Sequence, residues 1–267
     1  MKIFVISLQS SHDRREHIRR QLDPLGLDYA FFDAIEGAIG YHFFDPYDED
    51  QFLLNTGRRV IDGEVGCYAS HLALWKRCLE MNQPILIMED DATLQEHFRA
   101  ALYETNRLIM QYGFIRLQHG LPKRGLHAIP VETAGMFSLN FCQRFPFGAM
   151  CYAIAPSTAA AFVENSQKMT GPVDMFIKKY WKHKQPLFFM FPPSVDGDGV
   201  HHSTTIVGER AKGKLWIRLR LKRAAKKAHA FATRARFNSQ CRAEIRQSKG
   251  KLQLQGQRDT KMPRLIR

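Results

Sequence analysis

Short apolar runs along this chain alternate with longer segments in which apolar residues recur every three or four positions. Residues 2–8 are compact, rich in β-branched side chains and bounded by polar residues, which predicts a buried strand. A helix is expected over 11–22, opened by a weak capping box of Ser10 with Asp13 and stopped before Pro24 and Gly26. Residues 29–33 read as a second strand. Residues 36–59 mix Gly, Pro and acids without a period, and predict an irregular surface excursion. Asp62 is placed to cap the next helix, with Glu64 in its first turn where the dipole favours an anion. Val65, Tyr68, Leu72, Trp75 and Leu79 fall at helical spacing as its core stripe, and it ends near Asn82. Strands follow at 85–88, 114–118, 149–155 and 187–191. Helices are expected at 94–112, from Pro156 onward and at 173–183, with a loop at 196–199. Strands alternating with helices argue for an α/β sheet covered on both faces.

Composition adds limits. The 267 residues suit one large α/β domain, or one domain with an appendage. With 45% hydrophobic residues the chain is no collagen, coiled coil or wholly disordered polymer. Five cysteines are too few for a disulfide framework and point to a reducing compartment. The first apolar run is too short for a signal peptide, and no stretch reaches the ~18 apolar residues of a membrane span. A cytoplasmic protein is expected.

The net charge of +13 is uneven. Residues 210–267 hold 19 Lys and Arg against Glu244 and Asp259, a balance of +17, whereas residues 1–209 carry 20 basic and 24 acidic groups, a balance of −4. The chain therefore divides into a slightly acidic domain, 1–209, and a basic tail, 210–267. Within the tail, 214–236 can form a helix with Ile217, Leu221, Ala224, Ala228, Phe231 and Ala235 on one face. Past Phe237 the sequence is polar and without period, and reads as disordered. A basic helix with an apolar stripe suggests an anionic membrane surface. Nucleic acid is unlikely as a partner, because the tail offers few aromatics to stack on bases and the acidic domain would oppose it.

Glu89-Asp90-Asp91, at the end of an apolar strand, is the most informative cluster. Three adjacent acids repel one another unless a counter-charge is present. Ligands of open α/β sheets bind outside the carboxyl ends of strands. Alternation would turn Glu89 and Asp91 to one side, where two carboxylates suit Mn²⁺ or Mg²⁺. A solvated strand end, with Asp90 or Asp91 capping the next helix, remains the alternative. In the next cluster, Gly63 to His71, residues Glu64, Cys67 and His71 share a helical face. Cys67 and His71 have metal-compatible spacing, but Cys67 equally suits a small buried position. Gly63 and Gly66 allow either an anion at the helix start or tight packing.

These stretches together resemble glycosyltransferase family 25, the lipopolysaccharide and lipooligosaccharide transferases. The resemblance runs over residues 1–206: Val5-Ile6-Ser7-Leu8 with Asp13-Arg14-Arg15, Phe32-Asp33-Ala34-Ile35-Glu36-Gly37, Gly63-Glu64-Val65-Gly66-Cys67 with Ser70-His71-Leu72 and Trp75, Ile87-Met88-Glu89-Asp90-Asp91-Ala92, Pro172-Val173-Asp174, and Ser203-Thr204-Thr205-Ile206. It implies a GT-A-like, Rossmann-type mixed sheet flanked by helices, with the basic helical extension appended. It also implies inverting transfer of a hexose, galactose first, from a UDP-sugar to a lipid-linked oligosaccharide acceptor. By similarity Val5, Ile6, Ser7, Leu8 and Ala34 would line the nucleoside, and Arg14 or Arg15 would face its phosphates. Asp91 would be the main metal ligand. Glu89 would be a further ligand or a ribose contact, and Asp90 would lie beside the donor. Asp174 is the candidate base for the acceptor hydroxyl, with an N-cap as its bland alternative. Glu64 and His71 come second as bases. His201 or His202, near Asp196 and Asp198, could supply a late metal ligand. With the tail, this reading places the enzyme on the cytoplasmic face of a bacterial inner membrane. A nucleotidyltransferase or phosphohydrolase using the same acids, and a non-catalytic binding protein acting through the tail, are the rival functions.

Overall fold

A computed structural model describes residues 1–40, 48–118, 128–197 and 217–259, with side chains of the last segment described over 222–247. The chain opens with β1 (Lys2–Ser7), α1 (His12–Leu22), β2 (Tyr29–Asp33) and the single turn α2 (Gly37–Gly40). Next come α3 (Glu49–Thr56), α4 (Asp62–Met81), β3 (Ile85–Glu89), β4 (Ala92–Leu94), α5 (Phe98–Tyr112) and β5 (Phe114–Arg116). The hairpin β6 (Ala128–Ala134) and β7 (Phe137–Cys142) leads to β8 (Cys151–Ile154) and α6 (Pro156–Asn165). The remaining elements are α7 (Val173–Lys178), α8 (Tyr180–His183), β9 (Phe188–Phe191), β10 (Val195–Gly197) and α9 (Ile217–Asp259).

Eight strands form one mixed sheet in the order β2-β1-β3-β8-β5-β9-β7-β6. β1 runs parallel to both β2 and β3, while β8 runs antiparallel to β3 and β5. Alternation along the strands sends Phe4, Ile6, Ile85 and Ile87 to one face and Ile3, Val5, Leu86 and Met88 to the other. The first face is covered by α4 and α6 through Val65, Tyr68, Leu72, Trp75 and Phe162, the second by α1 and α5 through Ile18, Leu22, Phe98 and Ile109. The chain leaves β1 towards β2 on one side and has β3 on the other. The carboxyl end of β1 is thus a topological switch point, where α/β sheets form their ligand crevice.

Several expected boundaries move. Ser11, not Ser10, caps α1, and its side chain makes no capping bond. Asp62 is the first helical residue of α4 rather than its cap, which is Ile61. The helix expected from residue 94 starts at Phe98, because β4 pairs with β10, which also occupies part of the expected 196–199 loop. The helix expected over 173–183 is interrupted between α7 and α8 at Lys179, whose φ and ψ are not helical. The segment expected to be irregular carries α3, with Asp48 accepting a bond from Gln51 N at 2.8 Å as its cap.

The basic tail differs most. It is helical to Asp259, well beyond Phe237 where order was expected to end. Asn238 and Cys241 are buried. The Tyr180 hydroxyl lies 2.6 Å from Gln143 O and 2.9 Å from Asn238 Oδ1, and Arg242 donates to Gln143 Oε1 at 2.8 Å. Nearer the start of the helix, Arg223 donates to Thr56 O and Lys226 to Gln51 Oε1. The docked face thus combines these polar bonds with apolar packing of Phe237, Cys241 and Ile245 on the core. The apolar positions Ala224, Ala228, Phe231 and Ala235 face outward, with Phe231 61% exposed.

Candidate active site

The carboxyl ends of β1 and β3, the segment after β2 and the start of α4 enclose a cavity of about 280 Å³. Ile6, Ser7, Leu8, Arg14, Ala34, Glu89, Asp90 and Asp91 line it, with Cys67 on the α4 side. Eight expected site residues thus meet in one place. Val5 does not join them. It is fully buried in the core on the other sheet face, because alternation turns it away from its neighbour Ile6.

The close fit of α4 explains Gly66. A Cβ on Gly66 would stand 2.3 Å from Ile35 O, so only glycine lets the helix press against the segment that leaves β2. Ser70 completes this contact by accepting from Ile35 N at 2.9 Å and donating to Gly66 O at 2.7 Å. Gly66 serves packing, and the packing builds the cavity wall, which Gly63 also lines.

Each acid has its own environment. Asp90 is buried and neutralised: Ser7 Oγ donates to its Oδ2 at 2.7 Å, and Arg14 Nη1 to its Oδ1 at 3.0 Å. Arg14 is therefore the counter-charge that the acid cluster requires. Arg15 turns away, donating to Ser7 O and Leu8 O and pairing with Asp33. Among the described residues, the buried Oδ1 of Asp91 has no hydrogen-bond partner. Burial, then the nearby charges of Glu89 and Asp90, push its carboxyl up to about 7. A buried carboxylate oxygen without a partner is costly in the fold and available to a cation. With Glu89 lining the same cavity, the oxygen donors present fit a hard divalent ion.

Glu89 is held from behind. His71 Nε2 lies 3.3 Å from Glu89 Oε1, His71 Nδ1 lies 2.8 Å from the Tyr152 hydroxyl, and Trp75 Nε1 donates to that hydroxyl at 2.9 Å. A carboxylate only accepts, so Nε2 carries the proton, and in the neutral imidazole Nδ1 accepts from Tyr152. His71 is fully buried, and its geometry is that of a group orienting Glu89. Donor atoms of Cys67, His71 and Glu89 also lie within 4.8 Å of one another. Burial and the surrounding carboxylates raise the Cys67 thiol well above its ordinary range, so it presents a neutral thiol, ill-suited to a hard ion.

Glu64 is buried and engaged by Arg58 in a two-pronged ion pair, with Nη1 2.7 Å from Oε2 and Nη2 against Oε1. Both oxygens are occupied, which makes Glu64 a fixed charge. Removing Arg58 would strand it: Arg58→Met is expected to cost about 3–5 kcal/mol of stability, read from urea unfolding. An unchanged midpoint would show the pair to be dispensable.

Asp174 is not the cap of α7; Pro172 is. Its Oδ2 instead accepts from Gly148 N at 3.3 Å. Burial raises its pKa, with further upward contributions from Glu89 and Glu64, but Asp174 is not among the residues that line the cavity. The 145–148 segment that meets Asp174 is fixed from beneath by buried Arg116, which donates to Pro146 O and Phe147 O. Asp196 accepts from Gln95 at 2.8 Å. Asp198, His201 and His202 lie outside the described residues.

Arg58, Tyr152 and Arg116 were not singled out in the sequence. Tyr152 lies in an apolar strand and reads as core. Arg58 falls in a segment without period.

Residues 1–177 match the family model described as glycosyltransferase family 25 (LPS biosynthesis protein). The lipooligosaccharide biosynthesis protein lic2B of Haemophilus influenzae is 34% identical over 101 residues, 35% of this chain and 35% of that protein. A glycosyltransferase 25 family member of Aedes aegypti is 32% identical over 111 residues, 36% of this chain and 17% of the relative. Procollagen galactosyltransferase 1-A of Xenopus laevis is 31% identical over 111 residues, 38% and 18% respectively. The matched part spans about a third or less of the length of these relatives.

Proposed function

Because this chain belongs to glycosyltransferase family 25, we propose that its cavity binds a UDP-sugar and that the enzyme transfers a hexose, galactose first, to a glycan acceptor. The observation that carries this reading is the orphaned Asp91 oxygen beside Glu89 at the switch point of the sheet. Asp91 and Glu89 would hold Mn²⁺ or Mg²⁺. When bound, such an ion offsets the charge of a diphosphate leaving group. His71 and Tyr152 keep Glu89 oriented, and Arg14 keeps Asp90 neutralised at the edge of the site.

In the transfer step an acceptor oxygen bonds to the anomeric carbon as the bond from that carbon to the UDP oxygen breaks. The acceptor proton passes to Asp174. A carboxyl whose pKa burial has raised is better matched to that task at neutral pH. Attack from the side opposite UDP gives inversion. Galactose follows the name of the Xenopus relative, a procollagen galactosyltransferase, and a lipooligosaccharide acceptor follows the process for which the Haemophilus relative is named. The test is a screen of UDP-sugars for Mn²⁺-dependent release of UDP and free sugar. UDP-galactose should be the most active donor. Release of a sugar phosphate instead would support a phosphohydrolase.

The outward stripe of α9 supports peripheral attachment to an anionic membrane surface, with Phe231 as its apolar anchor among Lys and Arg. No helix among the described residues is long and apolar enough to cross a membrane. Phe231→Asp should weaken co-sedimentation with phosphatidylglycerol vesicles severalfold and leave the melting temperature unchanged. Equal binding would remove the stripe from the attachment.

A further inference from the structure

A second cavity, of about 430 Å³, lies between α3, α8 and α9. Lys179, Lys182, Arg223, Lys226 and Lys227 converge on it, and Trp181 forms part of its wall. Among the described residues none of these five cations has a carboxylate within 4 Å. Asp48, the acid whose charge reaches Lys226, is already engaged in capping α3.

The hydrogen-bonding capacity of the cluster is also incompletely used. Lys226 reaches Gln51 and Arg223 reaches Thr56 O, but the buried Arg223 Nε has no hydrogen-bond partner among the described residues. Burial, then the charges of Lys182 and Lys226, lower the Lys179 ammonium to about 8. Like charges gathered in a half-buried recess weaken the fold unless an anion joins them. The docking of α9 on the domain creates the recess, since Arg223, Lys226 and Lys227 come from that helix and Lys179 and Lys182 from the domain.

We propose that this cavity is a binding site for a phosphorylated sugar, the anionic part of the acceptor glycan. Guanidinium and ammonium groups match phosphate oxygens, and the Trp181 ring supplies the apolar surface against which the C–H face of a pyranose can pack. The volume is within the range of small-ligand pockets, ~300–1,000 Å³. Position favours the acceptor. Asp174 lies in the first turn of α7 and Lys179 directly follows that helix, so the helix that carries the proposed base leads into the recess. The assignment to the acceptor rests on the transferase reading above, whereas the phosphate site stands on its own residues.

Calorimetry on the full chain tests it, with glucose 6-phosphate, glycerol 3-phosphate, inorganic phosphate and glucose as probes. Glucose 6-phosphate should bind, and Lys179→Gln with Lys226→Gln should weaken it at least tenfold, about 1.4 kcal/mol. UDP affinity should be retained and the melting temperature should be no lower than that of the wild type, showing that the double variant folds. Glucose should not bind. Glycerol 3-phosphate, which has the phosphate ester of a lipid headgroup without the ring, should bind more weakly, and Trp181→Leu should erase that difference. Unchanged glucose 6-phosphate affinity in the folded double variant would overturn the site. Equal binding of glycerol 3-phosphate by the wild type would overturn its assignment to a sugar. If glucose 6-phosphate binds as expected but UDP does not, the pocket stands and the donor-site reading falls.

Discussion

Asp174→Asn is expected to lower sugar transfer by roughly 10²–10⁴-fold, the usual contribution of a general base, while UDP binding stays within a factor of two. Asparagine keeps the shape of the carboxylate and can still accept from Gly148 N through its carbonyl oxygen, so α7 and the 145–148 segment should stay in place. What is lost is the ability to take a proton. A burial-raised pKa predicts that the wild-type rate falls with decreasing pH already above the ordinary carboxylate range. At saturating Mn²⁺ and donor, where protonation of Asp91 no longer limits binding, the variant should lose the acidic limb of kcat as well as its rate. Steady-state kinetics over pH 5–9 measures both. Unchanged turnover would exclude Asp174 as the base, and a lost rate with the acidic limb intact would make it a structural contact.

Asp91→Asn should have the second large effect, with opposite signs on binding and stability. The folded carboxyl titrates near 7 whereas an unfolded Asp titrates near 3.8. Between those values the native state holds a proton that the unfolded state has released. Stability of the cation-free protein should therefore be full below the lower value and decline as pH rises, with the loss complete above about 7. Asparagine has no such proton, so the variant should melt several degrees higher than wild type at pH 8 and at about the same temperature at pH 4. The same substitution should abolish the effect of Mn²⁺ on UDP binding. More stable and less functional is the expected signature of a site held at some cost to the fold. A variant that melts lower at pH 8 would contradict the burial argument.

The parts of this molecule that were legible in the sequence are those with a strong local signal. β1 and β3 are apolar runs, and α4 carries a helical stripe of which Val65, Tyr68, Leu72 and Trp75 are buried and Leu79 is partly buried. The acids at the end of β3 could be located because a strand end is recognisable and the crevice rule applies to it. The β6–β7 hairpin was missed. Pro130 weakens a strand reading, and the register shift between Pro130 and Glu132 breaks the alternation. That Pro is tolerated because β6 is the edge strand of the sheet. The tail was misjudged for a related reason. The expected stripe members Ala224, Ala228, Phe231 and Ala235 are exposed, whereas α9 docks through Arg223, Lys226, Asn238 and Arg242, whose partners are distant in sequence, and through Phe237, Cys241 and Ile245, which lie outside that stripe. The divided roles of the three acids were equally hidden. Nothing local separates Asp90, neutralised by Arg14, from Asp91, left with an orphan oxygen.

The central claim is that Asp91 and Glu89 make this cavity a cation-dependent UDP site. Isothermal titration of UDP into the full chain at pH 8, with Mn²⁺ or with a chelator, tests it most directly. UDP affinity should rise at least tenfold with Mn²⁺, and that gain should shrink as pH falls below about 7, where Asp91 takes up its proton. Equal UDP affinity with Mn²⁺ and with chelator would contradict the account.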